Sequence, residues 1–382
     1  MLVLCAGDLH LGRRSSRLPD LAAPAARSCA HAWHALVDHA IARRVDLVAL
    51  SGDLVDRANR HFEAVEPLRT GIERLGRAGI RTVAVTGNHD HDVLPRLARA
   101  LPPDDFRLLG AGGAWERWTL DRDGARLHVD GWSFPAEHVR ANPLDAYPRE
   151  PGDGTPVLGL LHADVDAPAS PYAPVPSGQL HATDVALWLL GHVHAPRLRH
   201  PDVGAPVLYP GSLQAMDPGE PGVHGAWEVT LAPGRPPAPR LVPLSSVRYE
   251  AVDVDVAALA EPADVWAAVV DAVERAGARC AAEHAGALRW ASLRVRLVGR
   301  TPLHRALRDG TDAPPPEELA CPIGDARAVV ERLDVATQPA LDLDALAAGS
   351  GAPAVVARLV LDARRAAAGA AAADDGLAAV LA

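Results

Sequence analysis

The chain has 382 residues, 48% hydrophobic and 23% charged, with a formal net charge of −10. This composition excludes a disordered or fibrous protein, and the length predicts two or three domains, each large enough for a real core. The acidic balance excludes a surface coated in basic charge, although a local basic groove stays compatible with it.

No run approaches the ~18 uninterrupted apolar residues that a membrane span requires. The apolar start, Leu2–Ala6, is too short for a secretory leader. Cys5, Cys29, Cys280 and Cys321 lack paired or metal-type spacing, as expected of a reduced, cytoplasmic protein. All 38 basic residues are arginine, and with Ala, Gly and Pro also abundant a compositional bias of the coding genome accounts for this.

Short apolar runs at Leu2–Ala6, Leu47–Leu50, Thr82–Val85, Val157–Leu161 and Val185–Leu190 predict strands buried on both faces. Between the first two, the stretch Ala25–Arg44 sets Trp33, Leu36, Val37 and Ile41 on one helical face. Between the next two, Phe62–Arg77 does the same with Val65, Leu68, Ile72 and Leu75. Such alternation predicts right-handed crossovers on a mostly parallel sheet. Extended segments at Ala125–Trp132, Pro206–Tyr209 and Gly225–Leu231 read as antiparallel strands of a second sheet, giving a layered α/β sandwich. Pro233–Pro239 reads as a surface connection near the end of the first domain.

A strand (Tyr249–Val256), a helix (Pro262–Ala276), a strand (Leu293–Val298) and a helix–strand pair ending near Thr337 then predict a small α+β module. From Leu341 the chain is Ala-rich and helical in propensity. The expected division is therefore 1–245, 246–340 and 341–382.

The polar residues at the ends of the first five strands carry the chemistry. They are Gly7-Asp8-Leu9-His10, Gly52-Asp53, Gly87-Asn88-His89-Asp90, His162 and Gly191-His192-Val193-His194. In open α/β sheets, ligand sites form beyond the carboxyl ends of the strands. Residues two apart in extended backbone point to one side, so Asp8 with His10, and His192 with His194, are expected to serve one locus.

Asp8, His10, Asp53, Asn88, His162, His192 and His194 offer more ligands than one tetrahedral zinc accepts. They suit two divalent ions about 3.5–4 Å apart sharing a carboxylate, and Asp53, alone on a central strand, is the natural bridge. With no thiolate in the set, Mn²⁺, Fe²⁺ or Zn²⁺ fit. His31, His34, His39, His61, His128, His138, His181, His200 and His224 read as surface or locally bonded, and His91 is left out of the set.

The order DxH…GD…GNHD…H…GHxH resembles that of the calcineurin-like metallophosphoesterases. Gly7–Gly12, Ser51–Asp56, Leu160–His162 and Tyr209-Pro-Gly-Ser-Leu-Gln214 resemble the SbcD-like DNA repair exonuclease branch in particular. The resemblance is good to about Pro243 and weaker beyond. It implies an α/β/β/α metallophosphoesterase sandwich, followed by a small α+β capping domain and a helical tail.

It also assigns one ion to Asp8, His10, Asp53 and His194, and the other to Asp53, Asn88, His162 and His192. His89 then faces the scissile phosphate as a catalytic residue, oriented by Asp90. Some relatives carry a histidine three residues after the Asp53 position, where this chain has Asp56.

The implied activity is Mn²⁺-dependent cleavage of DNA, with an SbcC-type coiled-coil ATPase as partner, and a homodimer is compatible with it. Val355, Val356, Leu359, Val360 and Leu361 would form the docking segment for that partner. Arg13, Arg14 and Arg57, with Arg17 and Arg60 nearby, flank the expected crevice and could hold a DNA backbone. Two alternatives compete. One is a metallophosphoesterase for a small-molecule phosphodiester or phosphomonoester, and the other is a DNA-tethering protein with a vestigial site. The intact ligand set weighs against the latter.

Overall fold

The computed structural model describes residues 1–18, 25–57, 62–148, 153–201, 203–310 and 313–380, so that Arg60 and His61 lie outside the described residues. The chain begins with β1 (Leu2–Ala6), α1 (Cys29–Arg43), β2 (Leu47–Leu50), α2 (Phe62–Arg77), β3 (Arg81–Ala84), α3 (Leu94–Ala98) and β4 (Phe106–Leu108). There follow β5 (Glu116–Arg122), β6 (Ala125–Gly131), β7 (Val157–His162), α4 (Ser177–His181) and β8 (Leu187–Gly191). Next are β9 (Arg197–Arg199), β10 (Val207–Tyr209), β11 (Gly225–Thr230) and β12 (Ala238–Pro243).

Two six-stranded sheets form, in the orders β12-β11-β1-β2-β3-β4 and β5-β6-β7-β8-β10-β9. Alternation along each strand explains how they stack. Val3, Cys5, Leu47, Ala49 and Val83 of the first sheet meet Leu127, Val129, Leu158, Leu160, Leu187 and Leu189 of the second in one apolar layer. The intervening residues Leu4, Ala6, Val48, Leu50 and Ala84 turn the other way, onto Trp33, Leu36 and Val37 of α1 and Leu68, Ile72 and Leu75 of α2. On the far side of the second sheet, Leu161, Trp188 and Leu190 are covered by Trp132, Phe134 and Val175 from loops and by Leu180 of α4. The central strands are thus covered on both faces, which is why their sequences are continuously apolar rather than alternating.

The layering is the expected α/β/β/α sandwich, but the strands are shared out differently. β7 and β8 join the second sheet, pairing parallel with β6 and with each other. The segments expected to be antiparallel there are so on one side only: β6 and β10 pair antiparallel with β5 and β9 but parallel with β7 and β8. β11 belongs to the first sheet, antiparallel to β1. An apolar run reports that both faces are covered, not which sheet covers them. Helix α1 begins later than expected because Ser28 caps it, its side chain accepting from the Ala30 N–H at 3.2 Å.

Beyond Pro243 come β13 (Val247–Asp255), α5 (Pro262–Glu283), β14 (Trp290–Val298), β15 (Arg300–Thr301) and α6 (His304–Arg308). The chain ends with β16 (Cys321–Ile323), β17 (Ala326–Val335), β18 (Gln338–Pro339), α7 (Leu343–Ala348) and α8 (Ala352–Val380). They give a four-stranded sheet, β13-β14-β17-β16, and a two-stranded β15-β18 pair. By internal contacts one compact unit comprises Met1–Val252, Val270–Val295 and Pro315–Arg332, and a second comprises Asp253–Val269, Arg296–Pro314 and Leu333–Ala382. Within the second unit, α8 exposes Val355, Val356, Leu359 and Val360 while burying Ala354 and Ala357. All four cysteines are free. Among the described residues, no helix is long and apolar enough to cross a membrane.

Candidate metal centre

The loops after β1 and β2 extend the parallel pairing of their strands past the sheet. Asp8 N–H donates to the Gly52 carbonyl, His10 N–H to the Asp53 carbonyl and Leu11 N–H to the Leu54 carbonyl, at 2.9–3.0 Å. This puts Asp8, His10 and Asp53 on one rim. The pairs two residues apart do not converge through extended backbone, as the spacing suggested. Asp8, His10, Asp53 and His192 instead have φ of 48°, 42°, 53° and 92°. Non-glycine residues in that region cost on the order of 1–3 kcal/mol each and persist where the surroundings over-determine them. Four of the seven expected ligands carry this strain.

The two sheets supply different chemistry. Loops of the first bring Asp8, Asp53 and Asn88 together with His10; strand ends of the second bring His162, His192 and His194. Ligand atoms of Asp8, His10 and His194 lie within 4.8 Å of one another, as do those of Asp8, Asp53 and His162. Asn88 Oδ1 sits 3.1 Å from His162 Nε2, and Asp53 Oδ2 is 3.4 Å from the same nitrogen and 3.9 Å from His10 Nε2. His192 packs its ring 5.3 Å from that of His162, while its N–H donates to the Asp8 carboxylate. Asp53 thus stands between the two groups of side chains.

The hydrogen bonding of these imidazoles fits divalent cations. His162 has acceptors on both sides, the Ser51 carbonyl 3.1 Å from Nδ1 and the Asn88 and Asp53 oxygens at Nε2. Burial pulls its pKa down to about 4, so the ring is neutral and has one N–H to give. With that proton on Nδ1, the Nε2 lone pair looks directly into oxygen, a repulsion that a cation turns into ligation.

His10 and His194 repeat the pattern. Their Nδ1 atoms face Asp56 (3.3 Å) and Glu220 (2.7 Å), and their Nε2 atoms face each other at 3.1 Å. In the metal-free protein a proton holds that contact. Burial pulls His194 down, but the Glu220 hydrogen bond and the Asp8 charge outweigh it and raise the pKa to about 9. His192 Nε2 is taken by Asp164 at 3.3 Å, leaving Nδ1 for an ion. These donors are nitrogen and oxygen only, a set suited to Mn²⁺, Fe²⁺ or Zn²⁺. The residues present therefore form a candidate centre for a pair of divalent metals.

A pH dependence follows. Above pH ~6.5 the imidazoles whose pKa is lowered are already neutral, and His194 dominates. Its folded-state pKa is raised, so the stability it contributes is complete below about 6.5 and is lost as pH rises through about 9. Asp8, pushed up to about 7 by burial against the remaining pull of His194, acts in the same sense below neutrality. Metal-free protein is expected to lose stability between pH 7 and 9, by up to about 1.4 kcal/mol per pH unit from His194. Divalent ions, which bind the deprotonated ligands, should reverse the trend. Urea unfolding at both pH values, with chelator and with Mn²⁺, checks this; identical trends in the two series would contradict it.

The role expected of Asp90 needs correction. Its carboxylate accepts from the Leu54 N–H (2.7 Å) and the Gly87 N–H (2.8 Å), tying the β2 and β3 loops together. The carboxylate that faces His89 Nδ1 is that of Asp56, at 3.5 Å, and the same oxygen faces His10 Nδ1. Asp56 was legible only as a departure from relatives, and its shared position depends on the tertiary fold. Glu220 and Asp164 carried no sequence signal, because each lies in a loop far along the chain from the histidine it touches.

Among the arginines, Arg14 is exposed and Arg13 half-buried, whereas Arg57 is engaged by Glu137. His224, expected at the surface or locally bonded, is fully buried and bonded to Ser212.

Gly191 is among the glycines that sterics require. A Cβ at Gly191 would lie 2.1 Å from the Ser51 carbonyl oxygen and 2.5 Å from His162 Nδ1. Gly191→Ala should cost roughly 1–3 kcal/mol and displace His162. A denaturation midpoint and ion affinity matching the parent would contradict that reading.

Residues 1–196 match the family profile described as calcineurin-like phosphoesterase, and residues 249–338 match the middle domain of metallophosphoesterase YhaO. The Bacillus subtilis protein called "Uncharacterized metallophosphoesterase YhaO" is 29% identical over 236 residues, covering 60% of this chain and 57% of that one. A protein of Aeropyrum pernix named DNA double-strand break repair protein Mre11 is 30% identical over 233 residues, covering 56% and 54%. A protein of the same name from Methanopyrus kandleri is 23% identical over 310 residues, covering 75% and 61%. The chain thus spans a little over half the length of these curated relatives. Two carboxylates, an amide and four imidazoles meet at the shared edge of two stacked sheets, in the region that the family profile covers. The chain belongs to the calcineurin-like phosphoesterase family.

Proposed function

We propose that this protein hydrolyses phosphodiester bonds in DNA at a pair of Mn²⁺ ions, as a repair nuclease of the SbcD-like branch. The observation that carries the reading is the convergence of Asp8, His10, His162 and His194 on Asp53, with Asn88 and His192 against His162 and His89 against the same rim. Similarity to two archaeal proteins named for double-strand break repair supports DNA as the substrate. A bound ion pair would supply Lewis-acid activation of the phosphoryl group and of the attacking water.

The chain's own residues do the rest. His10, His194, Asp8 and Asp53 would hold one ion, and Asp53, Asn88, His162 and His192 the other. His89 donates a proton toward the leaving oxygen. Its pKa is raised by the Asp56 hydrogen bond against partial burial, so the protonated form persists toward neutral pH. Asp90 serves by fixing the loop that carries Asn88 and His89.

The same reading assigns residues 1–245 to catalysis, 246–340 to a capping module and 341–382 to partner docking. An SbcC-type coiled-coil ATPase would cover the apolar residues exposed on α8, and work on chromosomal DNA implies a cytoplasmic location. Arg13 and Arg14 are the better candidates for backbone contact, since Arg57 is held by Glu137.

Purified protein incubated with Mn²⁺ and either an end-labelled duplex or an aryl phosphodiester tests the reading. Duplex degradation that chelator abolishes, and salt-sensitive binding that weakens in Arg13→Ala/Arg14→Ala, are expected. Cleavage of the small ester alone would overturn the DNA assignment in favour of a small-molecule phosphodiesterase.

A further inference from the structure

The Tyr209-Pro-Gly-Ser-Leu-Gln214 block and the loop after it build a second layer of contacts behind His194. Gly211 has φ of 78°, and a Cβ there would lie 2.6 Å from the His194 carbonyl oxygen, so the turn packs directly on that backbone. Ser212 N–H donates to the same carbonyl at 2.9 Å. The turn then leads to Glu220, nine-tenths enclosed, whose Oε1 accepts from His194 Nδ1 at 2.7 Å. Its Oε2 accepts from the Ser212 hydroxyl at 2.8 Å and from the Met216 N–H at 2.9 Å. The Ser212 hydroxyl lies 3.0 Å from His224 Nδ1, on a ring buried completely.

We propose that Glu220 is a positioning residue for the ion held by Asp8, His10 and His194, acting on His194 as Asp56 does on His10. A carboxylate with three donors cannot turn away without orphaning two of them. It therefore fixes the His194 ring plane and keeps the Nδ1 proton in place, leaving Nε2 as the donor that faces His10. Such an outer partner orients its histidine and raises its basicity. On the side of the opposite ion the support is looser: His162 backs onto the Ser51 carbonyl, and Asp164, which meets His192 and accepts from the Ser170 hydroxyl, is a quarter exposed. The ligand set alone would not reveal this asymmetry. It rests on the two-ion reading of the centre but not on DNA as the substrate.

The test is Mn²⁺ titration of chelator-stripped full-length protein, followed by electron paramagnetic resonance of free Mn²⁺. Glu220→Ala should weaken one of two bound ions about 10–100-fold and leave the other unchanged. Glu220→Gln, which keeps one oxygen acceptor and replaces the other with an NH2 donor, without the charge, should fall between Glu220→Ala and the parent. Asp164→Asn should spare the ion that Glu220→Ala weakens. Two ions bound with parent affinity in Glu220→Ala would overturn the proposal. So would loss of both ions from Glu220→Gln together with a lowered melting temperature of the metal-free protein, since that marks a scaffolding role. Absence of ion binding in the parent itself would instead sink the two-ion reading.

Discussion

Replacing His89 with asparagine should leave both ions bound and lower turnover on a phosphodiester by about 10²–10⁴-fold. The ring lies with the ligand atoms of His10 and Asp53 within 4.8 Å, but in the proposed reading the other seven candidates hold both ions without it. What connects residue 89 to Asp53 is its backbone N–H, 2.9 Å from Asp53 Oδ1, and that bond survives any change of side chain. The ring itself lies edge-on to His10, with centroids 4.8 Å apart, and is partly open to solvent. It is therefore placed to reach a substrate rather than to support the fold.

Asp56 raises its pKa, so the charged, proton-donating form dominates on the acidic side of that raised value and is lost above it. Asp56→Asn removes this effect and should move the alkaline limb of turnover to lower pH. Single-turnover rates across pH, with ion stoichiometry measured alongside, check both statements. Parent-like turnover in His89→Asn would remove the residue from the mechanism.

Asp53→Asn should fail one step earlier, at ion binding. Asp53 lies within reach of both groups of candidate ligands, 3.4 Å from His162 Nε2 and 3.9 Å from His10 Nε2, and Asp8 lies within 4.8 Å of both as well. Two cations held about 3.5–4 Å apart repel, and a shared negative charge offsets that repulsion. An amide keeps the shape without the charge. The expected loss of affinity exceeds the ~10–100-fold typical of removing an outer hydrogen-bond partner, and it falls on both ions. The metal-free protein is affected as well. The Asp53 charge raises the pKa of both Asp8 and Asp90, but its own carboxyl, which burial alone would raise, is held below the ordinary carboxylate range by the charges of His162 and His10. That charge therefore stabilises the metal-free fold near neutral pH, and the metal-free melting temperature of Asp53→Asn should fall below that of the parent. Calorimetric titration and a chelator melt separate the two effects; undiminished binding of two ions would exclude Asp53 as the bridge.

The sequence by itself determined the elements that carry the site. β1, β2 and α2 lie where their apolar patterns put them, because runs such as Leu47–Leu50 and the helical stripe Leu68–Ile72–Leu75 encode burial locally. The Asp, Asn and His residues at the strand ends could be read there as candidate ligands, since divalent ions of this class favour oxygen and nitrogen donors.

What only the tertiary structure decided is how distant segments share one space. A continuous apolar strand fits either sheet, so the placing of β7 and β8 in one and β11 in the other depended on packing across the whole layer. The left-handed backbone at Asp8, His10, Asp53 and His192 arises from loops stapled to one another, not from any preference of those residues. Asp56 could be read only as a difference, and Asp90 was assigned the orienting role that Asp56 has the geometry for. Glu220 was invisible, because it lies 26 residues from the histidine it holds. Local sequence encodes what each segment buries. Electrostatic partnership depends on separations in space, which only the folded chain sets.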